Sequence, residues 1–227
     1  MAPYNARMAL KLYAHPFSSY CQKALIGFYE NDIPFDLVLP HDEAGALNPE
    51  FAALWPIGRF PVLKDGERVI PEATIILEYL AVHYPGPVKL VPADPAAAIE
   101  VRLMDRFFDN YVSNPQSAIV FNAIRPEESR DPYGVDQQRA MLDKAYAWLD
   151  GRMAGRTWAA CDDFSLADAA AAPALLYADW THPIPRSFEH LWAYRDRLLE
   201  RPSYALALNE ARPFRHFFPL GAPEGRD

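Results

Sequence analysis

Between Tyr84 and Pro95 the chain places four prolines in twelve residues. Proline fixes φ and lacks a backbone donor, so neither a helix nor a ladder strand runs through such a stretch. It parts two halves of different pattern. Upstream, short alternating apolar runs are bounded by turn signals; downstream, apolar residues recur only at helical spacing. The 227 residues are ample for a sizeable core. The expected organisation is an α/β unit over 9–85, a linker over 86–95 and an all-helical unit over 96–220. Residues 1–8 read as a loose leader without legible chemistry.

The first half begins with a strand over Leu10 to Ala14. A helix over Ser19 to Glu30 carries Cys21, Leu25 and Phe28 on one face. Phe35, Leu37 and Leu39 alternate as a second strand, giving a β-α-β opening. Pro49 to Leu54 suits a short helix. Val62–Lys64 and Arg68–Ile70 flank Asp65-Gly66, a hairpin signal. A further helix follows from Thr74 to about Tyr84.

The second half runs helical from about residue 94 to 215. Ile99, Leu103, Phe107 and Tyr111 recur every four residues, with Met104 and Phe108 alongside. Val135, Leu142 and Leu149 recur every seven, and Phe188, Leu191, Trp192 and Leu198 form another apolar face. Ser165 and Asp168 have the spacing of a capping box, a structural device at a helix start.

The densest chemistry lies in His15-Pro16-Phe17-Ser18-Ser19-Tyr20-Cys21-Gln22-Lys23, at a strand-to-helix turn. A helix start presents unpaired N–H groups and the positive end of its dipole, which favours a thiolate held there. A serine hydroxyl at the same place can donate a hydrogen bond to that thiolate. Without further context, Ser18 or Ser19 reads equally as a helix cap and Cys21 as a small buried apolar residue.

Other function classes find no support. The formal net charge is -8, and no basic patch marks a nucleic-acid partner. Two cysteines 140 positions apart make no disulfide framework. No apolar run reaches membrane length, so no membrane association is expected. Six scattered histidines form no i, i+4 pair, so no metal site is expected. There is no phosphate loop and no GxSxG.

Four landmarks in order resemble the cytosolic glutathione S-transferase superfamily. Leu12-Tyr13 leads to Pro16 through Lys23, where Ser18-x-x-Cys21 resembles a thioredoxin-like CxxC with serine in the first place. Asn48-Pro49-Glu50-Phe51 leads to Pro56-Ile57-Gly58-Arg59-Phe60-Pro61-Val62-Leu63. Glu72-Ala73-Thr74-Ile75-Ile76 leads to Glu78-Tyr79-Leu80. Ser165 to Asp168 stands where the family keeps its capping box. The resemblance covers roughly Leu10 to Phe218. It implies a thioredoxin-like α/β N-terminal domain joined to an all-α C-terminal domain, with glutathione as co-substrate and no metal.

Carried over residue by residue, Ser18 is the catalytic candidate, hydrogen-bonding the glutathione thiolate, and Cys21 is structural. Pro61 resembles the family's cis-proline, with the Phe60 backbone meeting the cysteinyl part of glutathione. Glu72 matches the acid at a helix start that meets the γ-glutamyl ammonium. Arg59 and His41 are candidates for the glycine carboxylate. The family's serine after the acid is here Ala73. Losing one hydrogen bond to a charged group costs about 1.5–3 kcal/mol where nothing replaces it, or about ten- to a hundredfold in affinity. Thr74 and the helix amides are the groups left to compensate. An acceptor pocket between the halves would draw on Phe17, Tyr20, Phe107 and Tyr111.

The resemblance implies a cytoplasmic, homodimeric transferase that turns the glutathione thiolate on a small electrophile. Conjugation, reductive cleavage and isomerisation remain open within that class. The alternative is a non-catalytic member binding an apolar ligand or a protein partner, which Ala73 favours.

Overall fold

The computed structural model describes residues 10–42 and 44–226; the 1–8 leader lies outside them. A four-stranded sheet has the order β2-β1-β3-β4, with β1 Leu10–Tyr13, β2 Phe35–Val38, β3 Val62–Asp65 and β4 Arg68–Pro71. β1 pairs parallel to β2 and antiparallel to β3, and β3 pairs antiparallel to β4. The β1–β2 crossover is helix α1, Ser19–Glu30; α2 is Pro49–Leu54, and α3, Ala73–His83, follows the hairpin. The hairpin turn centres on Gly66-Glu67, one residue beyond the Asp65-Gly66 signal, because Asp65 itself pairs with Arg68. Gly66 takes the positive φ of 59° that such a tight turn requires.

Residues 84–94 form no helix or strand, as their prolines dictate. The segment is nonetheless pinned. The Asn31 side chain accepts from Val88 N–H and donates to the Val88 carbonyl at 2.9 and 3.1 Å. Leu90 is buried, and its carbonyl accepts from Leu166 N–H at 2.8 Å.

The second half is helical: α4 Pro95–Phe107, α5 Asn114–Ala123, α6 Pro132–Met153, α7 Leu166–Thr181, α8 Glu189–Glu200 and α9 Pro202–Ala211. A π-helical turn, Phe108–Ser113, joins α4 to α5. α7 is buried from Leu166 through Trp180. Its Ala169–Ala172 run lets neighbouring helices approach closely, and its start is closed by the expected capping box of Ser165 and Asp168. α1 packs against α3, α7 and α9, so Cys21 through Phe28 are all buried. One core therefore runs from the sheet through α1 into the helical half.

Of the expected α4 stripe, only its flank of Met104 and Phe108 turns fully inward. Ile99, Leu103 and Tyr111 are 67%, 54% and 47% exposed, while Ala98, Val101, Met104 and Phe108 are buried. The inward face also carries Asp105 and Asp109, which hydrophobic periodicity assigns to solvent. They are buried because α1 supplies Lys23 opposite them.

Candidate active site

A cavity of about 980 Å³ opens between the halves. Its thioredoxin-like wall includes Phe17, Ser18, Tyr20, Phe60, Pro61 and Glu72. Ala73 and Arg59 belong to the same wall, so most of the residues singled out from sequence converge here.

Ser18 is the N-cap of α1, with extended backbone at φ -80° and ψ 127°. The Cys21 backbone N–H donates to Ser18 Oγ across a long 3.5 Å. Capping uses a lone pair, so the hydroxyl hydrogen can be donated, and in this structure the Cys21 thiol is an acceptor within reach. The cap reading and the catalytic reading of Ser18 are therefore compatible. The turn beneath it is held from three sides. Phe17 N–H donates to His15 Nδ1 at 3.2 Å, Tyr177 Oη donates to the Phe17 carbonyl at 2.8 Å, and Gln22 Nε2 donates to the Pro16 carbonyl at 2.9 Å. Cys21 is fully buried, and burial foremost pushes its thiol up to about 12. It stays a protonated, structural thiol.

The Phe60–Pro61 bond is cis. Glu72 sits immediately before α3 at φ 73°, an unusual conformation for a residue with a side chain, and makes no side-chain cap bond. Backbone held in so sparse a region costs about 1–3 kcal/mol and clusters at functional sites. It directs an exposed carboxylate into the cavity wall beside the buried Ala73.

Thr74 does not fill the place of the missing hydroxyl. Its Oγ1 points into a buried charge cluster, accepting from Lys23 Nζ at 2.9 Å and Arg106 Nη2 at 2.5 Å, and donating to Asp105 at 3.0 Å. His41 is edge-on to Phe60 with ring centroids 6.0 Å apart and is not among the residues lining the cavity. Phe107 is drawn away by stacking on Trp148 at 4.5 Å, and Tyr111 packs beside it at 5.3 Å facing solvent. Neither lines the cavity.

The structure puts other groups there. Arg106, Asp109, Asn114 and Phe121 come from the α4–π-turn–α5 segment, and Phe217 and Phe218 from the C-terminal tail. The extra residue per turn in a π-helix re-aims the side chains that follow it, a common device at functional sites. Tyr20 Oη donates to Asn114 Oδ1 at 3.1 Å. Burial foremost, with Asp109 adding, raises this phenol to about 12, so it remains a neutral donor. Among the described residues, no group of His, Cys, Asp and Glu could hold a metal ion. None of the described helices is long and apolar enough to cross a membrane.

Family comparisons agree with this geometry. The family model "Glutathione S-transferase, N-terminal domain" matches residues 12–88, and "Glutathione S-transferase, C-terminal domain" matches 112–202. Glutathione S-transferase 3 of Zea mays is 31% identical over 205 residues, spanning 86% of this chain and 91% of that protein. The chain belongs to the glutathione S-transferase family. Glutathione S-transferase GstB of Escherichia coli K12 is 29% identical, over 86% of this chain and 95% of its own. A stringent starvation protein A homolog of Coxiella burnetii is 28% identical, over 90% and 94%. The crystal structure of a Methylobacillus flagellatus glutathione S-transferase with glutathione bound superposes with a TM-score of 0.78 at 26% identity, covering 88% of this chain and 98% of that one.

Proposed function

We propose that the cavity is a glutathione site and that Ser18 donates its hydroxyl hydrogen to the glutathione thiolate. The protein is a glutathione transferase. The thiol proton leaves to solvent, the thiolate attacks the electrophilic carbon of a small molecule such as an aryl halide, the carbon–sulfur bond forms, and the carbon–halogen bond breaks with release of halide. The observation that carries the reading is a serine at the start of α1 facing the same cavity as cis Pro61 and the left-handed Glu72. The family relation and a glutathione-bound structural neighbour support it. The Phe60 backbone meets the cysteinyl part, Glu72 the γ-glutamyl ammonium, and Arg59 the glycine carboxylate. Phe17, Tyr20, Phe121 and Phe217 offer the acceptor an aromatic enclosure.

The same reading makes the protein a cytoplasmic homodimer. Two free cysteines suit a reducing compartment. The Glu78–Arg102 ion pair ties α3 to α4 at 2.9 Å. Around it Ile75, Val82, Ile99 and Leu103 are at least half exposed, an apolar patch of the kind that marks an interface.

A non-catalytic member is the second reading, favoured by Ala73 and by a relative not named as a transferase. Calorimetric titration with reduced glutathione separates the two. Heat of binding in the micromolar to low millimolar range, with turnover of an aryl halide that falls about ten- to a hundredfold in Ser18→Ala, is the expected result. No heat at ten millimolar (a roughly −2.7 kcal/mol limit) refutes it.

A further inference from the structure

The missing hydroxyl at position 73 leaves the α-carboxylate of a γ-glutamyl group short of a partner, and Thr74 is turned inward. Arg106 stands at the same spot. Its Nη2 reaches Thr74 Oγ1, one residue from Ala73, and its side chain is half exposed in the cavity wall.

The guanidinium is held firmly by one edge. Nε and Nη2 donate to Asp105 Oδ2 at 3.0 and 2.8 Å, and Nη2 lies 2.5 Å from Asp109 Oδ2. Among the described residues no hydrogen bond uses Nη1, so its two donors are available. An anchored guanidinium loses little entropy on binding, and its remaining Nη1 donors can form a charge-assisted hydrogen bond to a carboxylate. Local charge does not oppose such a ligand, because Lys23 and Arg106 balance Asp105 and Asp109. Glu72 makes no ion pair among the described residues. The wall therefore offers the unused Nη1 donors of Arg106 and the Glu72 carboxylate, which suits the zwitterionic end of an α-amino acid.

We propose that Arg106 binds the α-carboxylate of the γ-glutamyl group, taking over from α4 the recognition that the residue-73 hydroxyl does not supply. This assignment rests on the glutathione reading above and adds to it a specificity-determining residue from the helical half.

The test pairs protein variants with a ligand lacking only that carboxylate, 4-aminobutanoyl-cysteinylglycine. Calorimetry of the full-length protein should show glutathione binding about tenfold or more tighter than the analogue, as one hydrogen bond to a charged group predicts. In Arg106→Met the ratio should collapse to within about twofold, with analogue affinity unchanged. Adding Ala73→Ser to that variant should restore part of the ratio. Should Arg106→Met fail to fold, Arg106→Lys serves: a single ammonium is engaged by the two aspartates, and the ratio should fall about threefold or more. A ratio that survives in the variants, or an equal loss of both ligands, overturns the assignment and leaves the transferase reading standing. Absence of glutathione binding to the wild type overturns that reading, and this assignment with it.

Discussion

Replacing Lys23 by methionine should loosen the joint between the two halves. The Lys23 side chain is 2% exposed, and its Nζ lies 2.6 Å from Asp105, 2.9 Å from Asp109 and 2.9 Å from Thr74 Oγ1. Lys23 belongs to α1, and both aspartates to the helical half, so the cluster spans the domain boundary. Without the ammonium, two buried carboxylates face each other with only the half-exposed Arg106 to offset them. Breaking a buried pair by removing one partner costs about 3–5 kcal/mol. For a chain of this size, about 2–4 °C of melting temperature accompanies each kcal/mol, so Tm should fall by about 6–20 °C. The deficit should depend on pH. Burial foremost, with the Asp105 charge adding, already raises the Asp109 pKa, and Lys23 opposes the rise. In the variant Asp109 holds its proton still more tightly than in the unfolded chain. The variant's stability relative to wild type therefore falls as pH rises from the ordinary carboxyl range through the folded pKa. Scanning calorimetry at pH 5 and pH 8 should show the smaller deficit at pH 5. Adding Asp109→Asn should recover about half of the loss, since one buried charge is removed with its partner. A Tm change below about 2 °C, or a double variant worse than the single, would refute the reasoning.

Three further outcomes follow from the same geometry. At pH 8 a small alkylating reagent should modify Cys161, which is partly exposed though its thiol is raised by burial foremost, while Cys21 reacts only after unfolding; peptide mass mapping reads this, and early labelling of Cys21 contradicts its burial. His15 is held below the usual imidazole range by burial first and the His41 charge second. Its ring proton should titrate by NMR with a midpoint below about 6.5, and its contribution to stability should be lost as pH falls from that value towards the folded midpoint; a midpoint at or above it contradicts the packing. Leu103→Glu combined with Ile99→Glu should convert a species near twice 25.7 kDa into one near 25.7 kDa by light scattering; an unchanged mass removes the α3–α4 face as the interface.

The β-α-β-β-α order, the linker and the capping box were legible because each rests on local signals: alternation, proline punctuation, and a Ser-x-x-Asp spacing. Ser18, Phe60, Pro61 and Glu72 were named through the resemblance to a known family rather than from local signals, and the fold brings all four to one cavity. The helical side of the cavity was not legible. Apolar period points Phe107 and Tyr111 inward, but Lys23 on a distant helix pairs with Asp105 and Asp109 and turns the charged face to the interior. The π-turn at Phe108–Ser113 then shifts the phase of everything after it. The only local trace of Arg106 was a run of charges interrupting an apolar helix, which also describes a solvated face. Phe217 and Phe218 reach the cavity through tertiary packing of the tail, and Phe218 lies against Trp180 at 5.4 Å.

The central claim is that Ser18 stabilises a glutathione thiolate, and the ultraviolet absorbance of that thiolate on the protein, followed against pH, tests it most directly. Bound to the wild type, the thiol should ionise well below the ordinary thiol value of about 8.5. In Ser18→Ala the midpoint should climb by about one to two pH units, the equivalent of one hydrogen bond to a charged group. A midpoint unchanged by the substitution, with glutathione still bound, would remove Ser18 from the chemistry.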